Sequence, residues 1–530
     1  LVTAMSQELA NLVDLQTAWR RVKFDIPDRV FIRHPYEIKL IELNLEDWLA
    51  RLLEKVRNGT YSPDAIMVAD VPKGRSAVRP AGHLAMADRT MYAACVGACF
   101  TNIHQTLRWS QGTVDFSYRL ASDPADPGWI SNSFTSWTDF RTKSLDKIAS
   151  GIAYVIIADI AGYYENIDLS TLVSDLRQIG ASVEAVDQLS VCLNRWAQVQ
   201  GRGIPQGHSP SDILGKLYLN SIDLNLRNKG YSHFRYVADI RIFCRNLVEA
   251  KRAMVDLIVL LRQRGLSLQS SKSEIHRADE AKEIIDGVAP VINSVRERYI
   301  EEIISALGLD NPYISLSYAE SLLADYPEDA PLELIHEAYQ TYFLDSSDDD
   351  FDTTLFRFLL KRLGKAKDNF AITDCITLIE KHPEETRNIL SYFSSAEVVA
   401  DVTEPIVHFL DSDNAVYQYQ VYEIMEWFST ASDPLGESVV RVARRFAFDR
   451  SQPLYLRCVC RKILGDFGSA ADLELLQASY SDASSELERS EILCSLERME
   501  RGRRNAFLGR VRNGSDMVSR AVMFVRGNER

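Results

Sequence analysis

Hydrophobic residues recur along the first part of the chain with two periods that take turns. In EDWLARLLEKVRNG (Glu46 to Gly59) they fall at helical spacing and stop at a glycine, which predicts a helix and its end. SPDAIMVADVPKGRSAVRP reads as a strand, a basic turn and a second strand, and HLAMADRTMYAACVGACF returns to helix. AYVIIADIAGYY (Ala153 to Tyr164) is a buried strand running into a turn, and LSTLVSDLRQIG is a helix. GRGIPQGHSPSDILGKLYLNSIDLNL is a Gly/Pro loop feeding a long helix. FRYVADIRIFCRN is a strand, or half of a hairpin whose turn lies at Val237-Ala238-Asp239. LVEAKRAMVDLIVLLRQRG is an amphipathic helix, and LSLQSSKSEIH is a short extended segment. Alternating helices and strands of this kind predict an α+β domain built on an antiparallel sheet.

From about residue 300 the strand signals vanish and helical periods dominate. NAVYQYQVYEIMEWF, PLYLRCVCRKILGDFG, SELERSEILCSLERM and SDMVSRAVMFVRG start roughly 30–40 residues apart, the period of helix-pair solenoids. LRCVCRKILGDFG resembles a HEAT-like repeat; an irregular helical bundle is the other reading. The acidic loop LDSSDDDFD (Leu344 to Asp352) separates two parts of this region. The expected organisation is a helical extension over residues 1–60, an α+β domain over 61–290, and an acidic all-α repeat domain over 300–530.

Charge supports that division. The net charge is −14, but residues 1–300 hold 36 basic and 34 acidic residues, or +2, which leaves −16 for the remainder. A local basic groove can hide in the nearly neutral first part, whereas the second part is a poor surface for polyanions. The eight cysteines form no CxxC pair and sit in apolar, helix-like contexts, so reduced core cysteines in a cytoplasmic protein are expected, without a zinc site. No apolar run approaches the ~18 residues of a membrane span. Leu1 to Ala4 before Met5 read as a remnant of cloning, with no secretory signal.

Two acids stand out. Asp159 ends the almost purely apolar strand Tyr154 to Ala158, and Asp239 stands at the turn of another. A buried carboxylate is costly unless it is paired or binds metal. Two strand-end carboxylates brought side by side can hold two Mg²⁺ ions, which clamp the nucleophile, the triphosphate and the leaving pyrophosphate of an in-line displacement. Strand-end acids are common, so each alone is a weak signal.

The segments around them carry a resemblance. In order, VPKGRSAVRP, FSYRL (Phe116 to Leu120), ADIAGYYENI, GIPQGHSPSDILGKLYLNSID, YVADIRIF and RGLSLQSSKSEI resemble the fingers and palm motifs of a reverse transcriptase, over roughly residues 60–280. The resemblance implies a fingers/palm fold with an antiparallel palm sheet. It implies Mg²⁺ as cofactor, with Mn²⁺ as a substitute, and deoxynucleoside triphosphates as substrates. Asp159 would be a catalytic metal ligand, with the Ile160 carbonyl as a second contact and Asp239 as a supporting acid. Lys73, Arg75 and Arg79 would offer cations to the triphosphate. Tyr164 stands where the family has its steric gate against a 2′-hydroxyl. Gln206 and Gly207 would let the backbone approach the nascent base pair, with Gly203 and Pro205 shaping the turn. Lys272 would donate to the leaving pyrophosphate. Each also has a plainer reading: a solvated basic turn for the cations, a core aromatic for Tyr164, an exposed lysine for Lys272.

One position departs from the family. The motif is normally Tyr-x-Asp-Asp, and Ala238 stands where its first Asp, a metal ligand, is expected. Two causes stand. A naturally inactive polymerase would show decay elsewhere, although the other motifs look intact; a deliberate Asp-to-Ala change in an active parent fits better. Either way the chain as written is expected to be inactive. An acidic helical array in place of a basic thumb or an RNase H domain resembles the bacterial abortive-infection, defence-associated reverse transcriptases. That resemblance implies phage defence and untemplated DNA synthesis primed from a protein hydroxyl, with single-stranded DNA attached through a tyrosine. It also implies a homo-oligomer, trimer or hexamer, and in other members a non-coding RNA or a second defence protein as partner. Two rivals stay open: an RNA-templated enzyme of a retroelement, and a non-catalytic scaffold that binds nucleic acid.

Overall fold

The computed structural model describes residues 2–74, 77–130, 133–287, 332–344, 351–431 and 434–527. Arg75 and most of the acidic loop after Leu344 lie outside the described residues. The chain forms two compact units. The first comprises residues 1–33, 44–69 and 80–286; the second comprises 34–43, 70–79 and 287–530.

The predicted helix around Glu46 runs over Leu45–Arg57. Asn44 caps it by accepting from the Asp47 amide, and Gly59 follows at φ +67. The basic turn joins β1 (Met67–Lys73) to β2 (Ala77–His83), which form a two-stranded sheet.

The centre of the first unit is a four-stranded antiparallel sheet in the order β4-β5-β3-β6, made of β3 (Tyr154–Asp159), β4 (Ser232–Tyr236), β5 (Asp239–Cys244) and β6 (Glu274–Arg277). Side chains alternate between its faces. One face carries Ile156, Ala158, Ile240, Ile242, His233 and Arg235, and packs on α2 (Ser209–Asn228) and α3 (Leu247–Gln263). The other face carries Val155, Ile157 and Phe243, and packs on α1 (Ser133–Ala149) and α4 (Ala278–Asp286). Asp159 and Asp239 belong to this second face, at the opposite end of the strands from Val155 and Phe243.

Among the described residues, the second unit is helical apart from the β1–β2 portion assigned to it. The helices α5 (Thr353–Lys365), α6 (Thr386–Ser395), α7 (Gln418–Ser429), α8 (Leu454–Phe467), α9 (Glu486–Cys494) and α10 (Asp516–Gly527) stack each on the next. Ile372–Lys381, Val399–Asp411 and Glu437–Ala447 stack as a second row. Arginines of one layer reach acids of the next: Arg357 to Glu385, Arg387 to Glu423, and Arg461 to Glu488. The segment 34–43 belongs to this array, with the Tyr36 amide donating to Glu491 Oε1 at 3.0 Å. All eight cysteines are buried and free. Among the described residues no helix is long and apolar enough to cross a membrane.

Candidate active site

Asp159 and Asp239 are direct cross-strand partners, the last pair of the β3–β5 ladder. Residues directly opposite in an antiparallel pair stand on one face about 4.5–5.5 Å apart. Asp159 is half-buried and Asp239 exposed, so both stand at the solvent-facing ends of their strands.

The loop joining β4 to β5 is two residues, Val237 and Ala238, between the paired Tyr236 and Asp239. The turn is therefore shorter than the sequence suggests, and Asp239 already belongs to β5. Val237 adopts φ +55. A β-branched residue in the left-handed region is strained by about 1–3 kcal/mol, and such strain persists only where the surroundings over-determine it. The Ile160 amide donates to the Ala238 carbonyl at 3.2 Å. The amide and carbonyl of one extended residue point to the same side, so the Ile160 carbonyl also faces this loop. Ala238 supplies no carboxylate.

A second segment crosses the end of β3. The Gln269 amide donates to the Asp159 carbonyl at 2.7 Å, and the Ala161 amide to Ser267 at 2.9 Å. The Asp159 amide donates to Ser273 Oγ at 3.2 Å. Lys272, exposed, ends a short 3₁₀ turn in this segment. The Asp159 amide and carbonyl are thus both held by this one segment, on the edge away from β5.

Gly162, at φ +50, turns the chain into the short helix Tyr163–Asn166. The Tyr164 hydroxyl donates to Asp212 Oδ1 at 2.7 Å, and the Tyr163 hydroxyl donates to the Gly215 carbonyl. A Cβ at Gly215 would stand 3.1 Å from the Tyr163 hydroxyl and 3.4 Å from the Tyr164 ring, so glycine is what lets α2 approach both rings. Burial pushes both tyrosine hydroxyls well above their usual range.

The loop before α2 is fixed from below. Gly203 and Gly207 take φ +92 and +88, and a Cβ at Gly203 would stand 3.2 Å from the Glu165 carbonyl. Burial, then the neighbouring Arg89 guanidinium, push the His208 imidazole down to about 3. The ring is therefore neutral, and its Nε2–H donates to the Gly82 carbonyl at 3.0 Å. Ser211 Oγ donates to the Pro205 carbonyl at 2.5 Å. Gln206 lines a cavity of about 110 Å³ with Gly82, Glu165, Arg202 and Gly203.

Sequence reasoning missed the buried ion network behind the hairpin. Arg235 contacts Asp223 at 2.7 Å and Asp115 at 2.6 Å, and Lys216 contacts Asp115 at 2.8 Å, all with side chains at most 1% exposed. His233 adds a contact to Asp223 at 3.3 Å. Burial opposes the Asp223 charge, but Arg235 and His233 outweigh it and hold the carboxyl below its usual range. The only sequence signal was an arginine and a histidine two apart in a strand, which reads as an exposed face.

Lys73 ends β1 and Arg79 lies in β2, both exposed and both assigned to the second unit, whereas Asp159, Tyr164, Gln206, Gly207, Asp239 and Lys272 belong to the first. Two carboxylate residues paired on one face at the strand ends, beside the Ile160 backbone, offer oxygens of the kind a hard divalent cation takes.

Residues 71–301 match the model of the reverse transcriptase (RNA-dependent DNA polymerase) family. This match is to a reverse-transcriptase domain, which indicates a nucleotidyltransferase (polymerase) family. No curated protein matches the chain. Among solved structures, an apo telomerase from Candida tropicalis truncated from its C-terminal domain is similar at 12% identity and TM-score 0.31, over 40% of this chain and 50% of that one. The chain thus spans half the length of that telomerase. A telomerase from Candida albicans in complex with a TWJ fragment of telomeric RNA is similar at 12% identity and TM-score 0.30, over 79% and 70%. The apo telomerase from Candida tropicalis is similar at 10% identity and TM-score 0.32, over 83% and 71%. These overlaps are distant, and the chemistry rests on the residues of this chain.

Proposed function

We propose that this protein descends from a DNA polymerase that adds deoxynucleotides by two-metal phosphoryl transfer. The observation that carries the reading is the cross-strand pairing of Asp159 with Asp239 beside a strained hairpin, inside a reverse-transcriptase domain. Asp159, Asp239 and the Ile160 carbonyl would hold the cations, Mg²⁺ or Mn²⁺. When bound, these ions neutralise the triphosphate and lower the pKa of the attacking hydroxyl. Tyr164 limits the space at the sugar. Gln206 and Gly207 support the nascent base and Lys272 meets the leaving pyrophosphate; Lys73, Arg75 and Arg79 are proposed as cations for the triphosphate from their place in the sequence alone.

Ala238 removes a ligand, so the chain as written is catalytically silent and its parent, with Asp at 238, is active. The acidic array of residues 300–530 is a HEAT-like repeat domain suited to protein contacts rather than to gripping phosphates. Together these features support an anti-phage defence enzyme of the abortive-infection type. It works in the cytoplasm as a homo-oligomer and makes single-stranded DNA without a template from a tyrosine primer. The family description, RNA-dependent DNA polymerase, favours a second reading in which an RNA templates synthesis.

The experiment is to purify the Ala238→Asp protein from cells and sequence the DNA it makes with Mg²⁺. Homopolymer or random DNA supports untemplated synthesis, and a fixed complement supports the RNA-templated reading. Absence of metal-dependent incorporation overturns the polymerase assignment.

A further inference from the structure

Arg235 connects three separate parts of the first unit. Its Nε and Nη2 reach both oxygens of Asp223 on α2, and Nη2 also reaches Asp115 at 2.6 Å. Its Nη1 donates to the Val237 carbonyl at 3.2 Å. Its backbone is held as well: the Arg235 amide donates to Val114 at 2.8 Å, and its carbonyl accepts from Phe116 at 2.9 Å. Asp115 is fixed in turn by Ser117 Oγ at 2.6 Å and by Lys216, which also donates to the Ser117 carbonyl at 2.6 Å. Among the described residues, the Arg235 Nη1 bond carries this buried network to the hairpin loop, where it ends on Val237, the residue in the left-handed conformation.

We infer that Arg235 is a positioning residue: it holds the two-residue loop in its strained conformation and so sets Asp239 opposite Asp159. A planar fork with five donors can satisfy Asp223, Asp115 and a loop carbonyl together. A lysine at 235 would keep the charge, but its point-like ammonium cannot span the three. Without the Nη1 bond, the valine relaxes toward the ordinary extended region, and the β5 end carrying Asp239 moves with it. The inference deepens the metal-site reading of Asp159 and Asp239, but the loop conformation can be measured without it.

The test is a double-mutant cycle on the full chain: Arg235→Lys, Val237→Gly and the two combined. Two quantities are read: hydrogen exchange of the Tyr236–Ile240 amides by mass spectrometry, and the Mn²⁺ dissociation constant by electron paramagnetic resonance. Arg235→Lys alone should speed exchange tenfold or more and weaken Mn²⁺ binding by a similar factor. In the Val237→Gly background, where the left-handed conformation costs nothing, the same change should have a threefold effect or less. An equal effect in both backgrounds overturns the inference, because a merely structural role in the buried network does not depend on the residue at 237. No effect in either also overturns it. If no variant binds Mn²⁺ while exchange follows the cycle, the metal reading fails and the positioning role stands. Should Arg235→Lys not fold, Ser117→Ala loosens Asp115 more gently and must show the same dependence on Val237.

Discussion

The Tyr164 hydroxyl donates to Asp212 Oδ1 at 2.7 Å, and this bond ties the turn after Asp159 to the helix after the Pro205-Gln206-Gly207 loop. The ring is therefore held in place at two ends, by its backbone and by its hydroxyl. In the Ala238→Asp background, Tyr164→Ala is expected to raise ribonucleotide over deoxynucleotide incorporation by at least tenfold. Tyr164→Phe keeps the ring, loses the bond and should change that ratio much less. Single-nucleotide incorporation with paired deoxy- and ribonucleoside triphosphates reads both.

Gly215 predicts an inversion of a common rule. Glycine to alanine in a helix ordinarily gains about 1 kcal/mol. Here the new methyl would crowd both tyrosine rings, so Gly215→Ala is expected to destabilise the protein by about 1–2 kcal/mol. Thermal denaturation of the two proteins is the measurement; a raised midpoint contradicts the close approach of α2.

His208 makes stability depend on acid. Its folded pKa is depressed to about 3 against an ordinary 6.5, so between those values the unfolded chain binds a proton that the folded one refuses. Its contribution is fully present above pH 6.5 and is lost as pH falls toward 3, at about 1.4 kcal/mol per unit at most. His208→Gln keeps a donor for the Gly82 carbonyl and removes the titration. Urea denaturation at pH 7 and pH 5 should show a smaller difference for the variant.

Glu488 tests the helical unit. It is buried against Arg461 at 2.7 Å. Burial raises its pKa, but the Ser484 and Arg461 bonds outweigh it and hold the carboxyl at about 2. Glu488→Ala strands Arg457 and Arg461 and should cost about 3–5 kcal/mol, read as a lowered denaturation midpoint.

Asp159→Asn should abolish Mn²⁺ binding measured by calorimetry, while Lys272→Ala should leave it unchanged. Lys272 lies in the crossing segment but carries no oxygen ligand.

Local pattern carried the reading far. The apolar run ending at Asp159, the Gly/Pro loop before Ser209 and the helical spacing after residue 300 each declare their element through period and breakers, which are properties of neighbouring residues. The two acids were legible as candidates for the same reason: a charge at the end of an apolar strand is conspicuous. What local pattern cannot carry is a partner distant in sequence. That Asp159 faces Asp239 follows from ladder register. Arg235 is buried because Asp115 and Asp223 come from two other segments to meet it. The same holds for Val237, whose left-handed backbone no valine would choose by itself and which the surrounding contacts impose. Sequence alone determined which segments are strands and helices and which acids invite a cation. Tertiary structure decided which acids meet and what braces the hairpin between them, because burial of charge is tolerable only after the fold has delivered its counter-charges.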